Sequence, residues 1–197
     1  MRVSSHLKLS KYILILWLSM AGLFGLYKAL PFFELLYLKL VDSKVEWSCN
    51  VKAGSLDGLD FSGIKFAGCM IEQDDSILMI EGAFSFEDFN RWKKFAFPAG
   101  TVIGNEEPSC TAVREVAEET GVAVEVIGFV GRIGENFALF LCKPLKRITE
   151  DDLKWKKLFE VRKLHFVKVS SIINREFLKE NNFMYPSDIE FLQKHYS

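Results

Sequence analysis

Residues 100–122 read GTVIGNEEPSCTAVREVAEETGV, and the second half of this stretch has few ways to fold. Pro108 suits the first position of a helix, where no backbone donor is needed. Gly121 supplies the left-handed residue with which helices often close. The interval between them predicts a helix over 108–120. On a wheel turning about 100° per residue, with Glu115 at zero, Glu118 falls at about −60° and Glu119 at about +40°. The three carboxylates therefore share one arc. Cys110, Val113, Val116, Ala117 and Thr120 take the opposite side, which makes it the core face. Carboxylates so placed repel one another, and they stand in the last turns, where the helix dipole disfavours anions. One account is a solvated acidic face. The other is a set of hard oxygen ligands gathered for Mg2+ or Mn2+.

The wider pattern decides between them. Gly100 is followed after five residues by Glu106, and after seven more by Arg114-Glu115-Val116; Glu118-Glu119 and Gly121-Val122 each follow after one. This stretch resembles the signature box of the Nudix hydrolases at all nine of its specified positions. From average residue usage, a chance match at a given start is about one in a billion. The box covers 23 residues, and a looser resemblance runs from Phe61 to His195. The resemblance implies an α/β fold: a mixed sheet between helices, an α/β/α sandwich, with the box as loop, helix and loop. It also implies a metal-dependent hydrolase. Such an enzyme cleaves the diphosphate bond of a nucleoside diphosphate linked to another moiety, or a similar diphosphate, by water attack on phosphorus. Glu115, Glu118 and Glu119 match the metal-binding carboxylates, and Gly100 matches the glycine whose carbonyl completes the shell. Arg114 matches the arginine that pairs with Glu106 and orients the others, as its fork allows. Glu118, Glu119, Arg114 and Glu106 are thus the catalytic set, with Mg2+ or Mn2+ as cofactor. A box glutamate or a loop carboxylate would act as base; Glu135 in GRIGEN is the loop candidate, beside its plain reading as a solvated glutamate.

Two positions depart from the family pattern. Pro98-Ala99-Gly100 stands where Pro-Gly-Gly is common, and Ala99 excludes the freest backbone conformations. Glu107 stands where Ser or Thr often caps the helix; its charge suits the helix start, but it caps less well. The substrate stays open. The proline that marks ADP-ribose-type enzymes is replaced by Phe137, and neither the tyrosine of the dinucleoside-polyphosphate type nor the basic motif of the coenzyme A type is found. Trp92, Phe95, Phe97 and Phe129 could stack on a base, and most read better as core. The net charge of −1 shows no bias toward a nucleic acid polymer. The rival class is a binding or regulatory module that keeps the fold and has lost turnover; such modules usually lose box carboxylates, and here none is lost. A structural membrane protein is a second rival, supported by the N-terminus alone.

Residues 1–11 form a basic tail with Arg2, Lys8 and Lys11, and residues 12–27, YILILWLSMAGLFGLY, carry no charge. Counted on to Leu30 with Lys28 snorkelling, the run reaches the length of a spanning helix, so 12–30 reads as a transmembrane signal anchor. A buried core helix is the weaker reading, since no polar face exists. Cleavage after Ala21 is the better rival, but the apolar run continues past it. Residues 31–45 read as an amphipathic linker, on the membrane or on the domain, and 46–197 as the catalytic domain. Lysines and arginines tie across the run. A short basic tail tends to stay in the cytosol, which places the domain on the extracytoplasmic, periplasmic face of a single-pass protein. A diphosphate carried on a lipid then joins the substrate list.

Elsewhere the chain predicts two strands about a turn at Asp74-Asp75, a short strand in KFAFP, strands in VAVEVIGFVG, NFALFLCKPL and KLHFVKV, and a final helix capped by Ser187. His165 reads as packed or exposed rather than catalytic. Of the four cysteines, Cys110 and Cys142 read as small buried hydrophobes. Cys49 and Cys69 are the pair expected to bridge in an oxidising compartment, and to stay free in the cytosol.

Overall fold

A computed structural model describes residues 47–83, 92–154, 161–173 and 183–196, all within one compact unit, Asp42–Ser197. The expected tail, anchor and linker, residues 1–45, lie outside the described residues. Among the described residues no helix is long and apolar enough to cross a membrane.

Seven strands form a mixed sheet: β1 (Phe66–Gln73), β2 (Ser76–Gly82), β3 (Phe95–Ala96), β4 (Ala99–Thr101), β5 (Val124–Ile133), β6 (Phe137–Pro144) and β7 (Val161–Lys168). Among the described residues the helices are α1 (Pro108–Thr120), α2 (Val169–Ile173) and α3 (Pro186–His195). The turn at Asp74-Asp75 forms as expected. Both residues take positive φ, 51° and 56°, which short polar side chains tolerate and which matches the twist of a tight hairpin.

That hairpin does not stay closed. β1 and β2 pair only at Glu72↔Ile77 and Gln73↔Ser76 and then part. The segment 95–101 fills the gap, with β3 pairing β2 and β4 pairing β1. The box therefore begins as a short strand wedged into the sheet, in register Ala67↔Gly100 and Gly68↔Ala99. On its other edge β1 runs parallel to β6, which pairs antiparallel with β5; β7 pairs antiparallel with β2.

Alternation along β1 separates two cores. Ala67, Cys69 and Ile71 face α1 and pack with Ala112, Val113 and Val116, while Met70 faces the other way, toward Ile172 and Leu192. Helices thus cover both faces, as the sandwich reading requires. Two expectations at this level fail. The final helix begins at Pro186 after an extended Tyr185, so Ser187 lies inside the first turn and caps nothing. The cysteines pair differently: Cys49 with Cys110, and Cys69 with Cys142. Cys69 and Cys142 lie on neighbouring parallel strands, with alpha carbons 5.6 Å apart. Cys49 precedes a chain segment that bridges to β5 at Val51↔Val126, which brings it to the first turn of α1. Neither Cys110 nor Cys142 is a free hydrophobe, and Cys49 does not meet Cys69.

Candidate active site

The box helix forms where expected. Pro108 occupies its first turn, and Gly121 closes it at φ 69°, with its N–H on the Ala117 carbonyl at 2.9 Å. Thr120 secures the same end, its hydroxyl donating to Val116 O at 2.6 Å and accepting from Val122 N–H at 3.2 Å. Glu107 makes no side-chain cap, as the departure from Ser or Thr implied.

Buried Arg114 is the centre of the site. Its Nε donates to Glu106 Oε1 at 3.1 Å and its Nη2 to Glu106 Oε2 at 3.1 Å, a two-pronged grip on one carboxylate. Nη2 also donates to the Thr101 carbonyl at 3.0 Å. Nη1 reaches Glu115 Oε1 at 2.7 Å and Glu118 Oε2 at 3.2 Å. One guanidinium therefore holds three carboxylates and the end of β4. Burial alone would lower the Arg114 pKa, but the bond to Glu106 and the charges of Glu115 and Glu118 outweigh it and raise it. Burial likewise pushes Glu106 up. Its bonds from Arg114 and from the Thr111 hydroxyl, the latter at 2.7 Å, win and hold its carboxyl below the usual range. Glu119, on the buried side of the arc, accepts from the Ala99 N–H at 2.9 Å.

Gly100 has a steric role beyond its carbonyl. A Cβ built there would stand 2.1 Å from the Glu115 carboxyl carbon. Glu115 thus lies against bare main chain, in a space that only glycine leaves open. Ala99, the other departure, is accommodated from below. A Cβ on Gly68, its partner on β1, would come within 2.6 Å of the Ala99 Cβ and 2.8 Å of the Pro98 carbonyl.

Gly100, Glu106, Arg114, Glu115, Glu118 and Glu119 are all brought together. With Arg114 between them, the carboxylates do not converge on a point; among the described residues no three His, Cys, Asp or Glu side chains are gathered closely enough to hold an ion. The donor set still fits a hard cation, being entirely oxygen and lying against the space left by the missing Gly100 side chain. Glu135 is exposed in the β5–β6 turn. That turn lies across β1 from the box loop: the Asn136 carbonyl accepts from Lys65 and Phe66 N–H, and the Lys65 carbonyl from Val102 N–H. Among the aromatics, Phe95 and Phe97 are core and Phe129 packs on Phe61 and Phe140, while Trp92 is exposed. His165 is half-buried, its Nε2 2.8 Å from Glu81 Oε2 and its ring edge-on to Phe95. Three contributors escaped the sequence. Thr111 shares the Arg114 face at a spacing of three and was readable on the wheel. The Ala99 N–H and the Thr101 carbonyl act through backbone, which no side chain announces.

A family model for the NUDIX domain matches residues 64–185, well over half of the chain. The chain belongs to the NUDIX family. Solved NUDIX structures share the fold at low identity. A NUDIX hydrolase from Nitrosomonas europaea superposes at TM-score 0.51 with 20% identity, over 70% of this chain and 72% of that one. The MutT protein from Methanosarcina mazei Go1 gives TM-score 0.50 with 16% identity, over 70% of this chain and 96% of the other. Among proteins with curated descriptions, none matches this chain.

Proposed function

We propose that this NUDIX-family enzyme hydrolyses the diphosphate of a small molecule, a nucleoside diphosphate linked to a further moiety, with Mg2+ or Mn2+ held by Glu115, Glu118, Glu119 and the Gly100 carbonyl. The observation that carries this reading is the Arg114 guanidinium, which fixes Glu106, Glu115 and Glu118 at once. When bound, the cation supplies charge to polarise phosphoryl oxygens and to lower the pKa of the attacking water. The protein does the rest. Arg114 and Thr111 hold Glu106, and Glu106 in turn fixes the rotamer of Arg114. Water attacks one phosphorus, the bridging P–O bond breaks, and a carboxylate of Glu118 or Glu119, or the Glu135 turn, accepts the water proton. A merely binding module needs no such preorganised set. Turnover of a panel of nucleoside and lipid diphosphates, with and without chelator, tests the reading. Hydrolysis restored by Mg2+ or Mn2+ is expected, and no turnover of any member would leave the binding module. The membrane anchoring rests on the sequence of residues 12–30. The extracytoplasmic placement of the domain is supported by the two disulfides, which persist in oxidising compartments. Protease accessibility on intact cells tests that placement.

A further inference from the structure

The two bridges differ in access and in what they hold. Cys69–Cys142 joins neighbouring strands inside the core, with 0% and 2% of the two residues exposed. Cys49–Cys110 is open to solvent, for Cys49 is exposed and Cys110 half-buried. It ties the strap at 47–52 to the third residue of α1. The strap's main-chain hold on β5 is slight: Lys52 N–H to Val126 O and Val126 N–H to Asn50 O, each 2.8 Å. The helix turn it grips has no side-chain cap; Glu107 at the cap position offers only its charge. Its next residue is Thr111, which holds Glu106, and one turn further stands Arg114. The covalent tie therefore sits on the first turn of the helix, beside the groups that order the carboxylates.

We infer that Cys49–Cys110 is a redox switch on the box, an inference that rests on the diphosphatase reading. Closed, it keeps the first turn of α1 wound and Thr111 and Arg114 in place. Open, that turn frays, the guanidinium loses its fixed partners, and hydrolysis slows. A dithiol performs the opening. One thiolate attacks the exposed Cys49 sulfur, the S–S bond breaks, and Cys110 leaves as a thiolate that takes a proton. The second thiol then attacks the mixed disulfide and frees Cys49, leaving the dithiol as a cyclic disulfide. Two electrons pass to the protein, and a disulfide oxidant reverses the exchange. The chain is then slow in a reducing compartment and fast once it reaches an oxidising one.

The test is a dithiothreitol titration of the purified full-length enzyme. Differential alkylation and mass spectrometry report each bridge, hydrogen exchange reports residues 108–114, and Mg2+-dependent turnover reports the site. Cys49–Cys110 is expected to open while Cys69–Cys142 stays bonded. At that point kcat/KM should fall by between roughly tenfold and a hundredfold, the scale of a small misplacement in a site. Exchange over 108–114 should quicken, and reoxidation should restore both. The Cys49→Ser/Cys110→Ser variant should be slow and blind to reductant, and Cys69→Ser/Cys142→Ser should keep the response. A Cys49→Ser/Cys110→Ser chain with wild-type turnover and exchange overturns the switch, as does a core bridge that opens first. If no diphosphate is turned over in either redox state, the functional reading fails instead, and unchanged exchange over 108–114 on opening would sink the switch as well.

Discussion

Gly100 and Glu115 make the smallest unit on which function turns. The carboxyl carbon of Glu115 stands where a side chain at 100 would begin. Gly100→Ala should therefore push Glu115 out of its place and abolish most turnover in a folded protein. Glu118→Gln and Glu119→Gln each remove a proposed metal ligand and should lower kcat/KM by at least about a hundredfold, or roughly 2.7 kcal/mol. Steady-state kinetics on purified variants decides; wild-type rates in both glutamine variants would refute the assignment. Helical spacing put the glutamates on one arc, and the resemblance to the Nudix box gave them and Gly100 their roles, because the whole pattern lies within one short run of sequence. Asp188 was not legible, since its burial depends on how α3 lands on the sheet. It is 4% exposed and has no side-chain partner among the described residues, and burial pushes its carboxyl up to about 7 from 3.8. The folded state then holds its proton more tightly than the unfolded one. Stability from this group is full below about pH 4, falls as pH rises from there to 7, and stays low above. Asp188→Asn should raise stability at pH 8 by up to roughly 4 kcal/mol, from three units at about 1.36 kcal/mol each. The gain should vanish near pH 4 in denaturant unfolding curves.

At the level of elements, the sequence showed β1, β2, α1, β5 and β6 nearly to the residue, because each carries its own period and its own stop signal. It showed the short strand in KFAFP, which forms as β3, but not that β1 and β2 part, that β3 enters the gap, or that the box begins there as β4. Two-residue and three-residue strands have no readable period, and their pairing is fixed by what the neighbouring strands leave open. The consequence is a close packing of Gly68 under Ala99. Gly68→Ala places a Cβ 2.6 Å from the Ala99 Cβ and 2.8 Å from the Pro98 carbonyl. Overpacking of this kind costs about 1–3 kcal/mol. Ala99→Gly in the same chain removes the first clash and leaves the second, so it should restore part of the loss but not all. A double-mutant cycle by thermal or denaturant unfolding measures the coupling between positions 68 and 99. Strict additivity would show that β4 does not press on β1 as described.

At the scale of the whole molecule, the two bridges close separations of 61 and 73 residues. Chain entropy alone makes each worth about 4 kcal/mol, a large share of the stability of a small domain. Their pairing was hidden because it joins segments that only the finished fold brings together. Cys49 reaches α1 by way of β5, and Cys69 reaches Cys142 through a parallel pairing that no local signal predicts. Both bridges, both core clusters and the whole box lie in the unit Asp42–Ser197. The NUDIX match, residues 64–185, lies inside it as well. A chain comprising residues 42–197 therefore retains every interaction described for the site, including the strap and its bridge to the catalytic helix. It should fold, form both disulfides under oxidising conditions, and turn over substrate with the kcat of the full-length enzyme. It should also stay in the soluble fraction, while the full-length chain sediments with membranes and is released by detergent. Intact full-length protein found in the soluble fraction would remove the anchor. A 42–197 chain with both bridges formed but kcat reduced severalfold would show that the N-terminal residues contribute to the site itself.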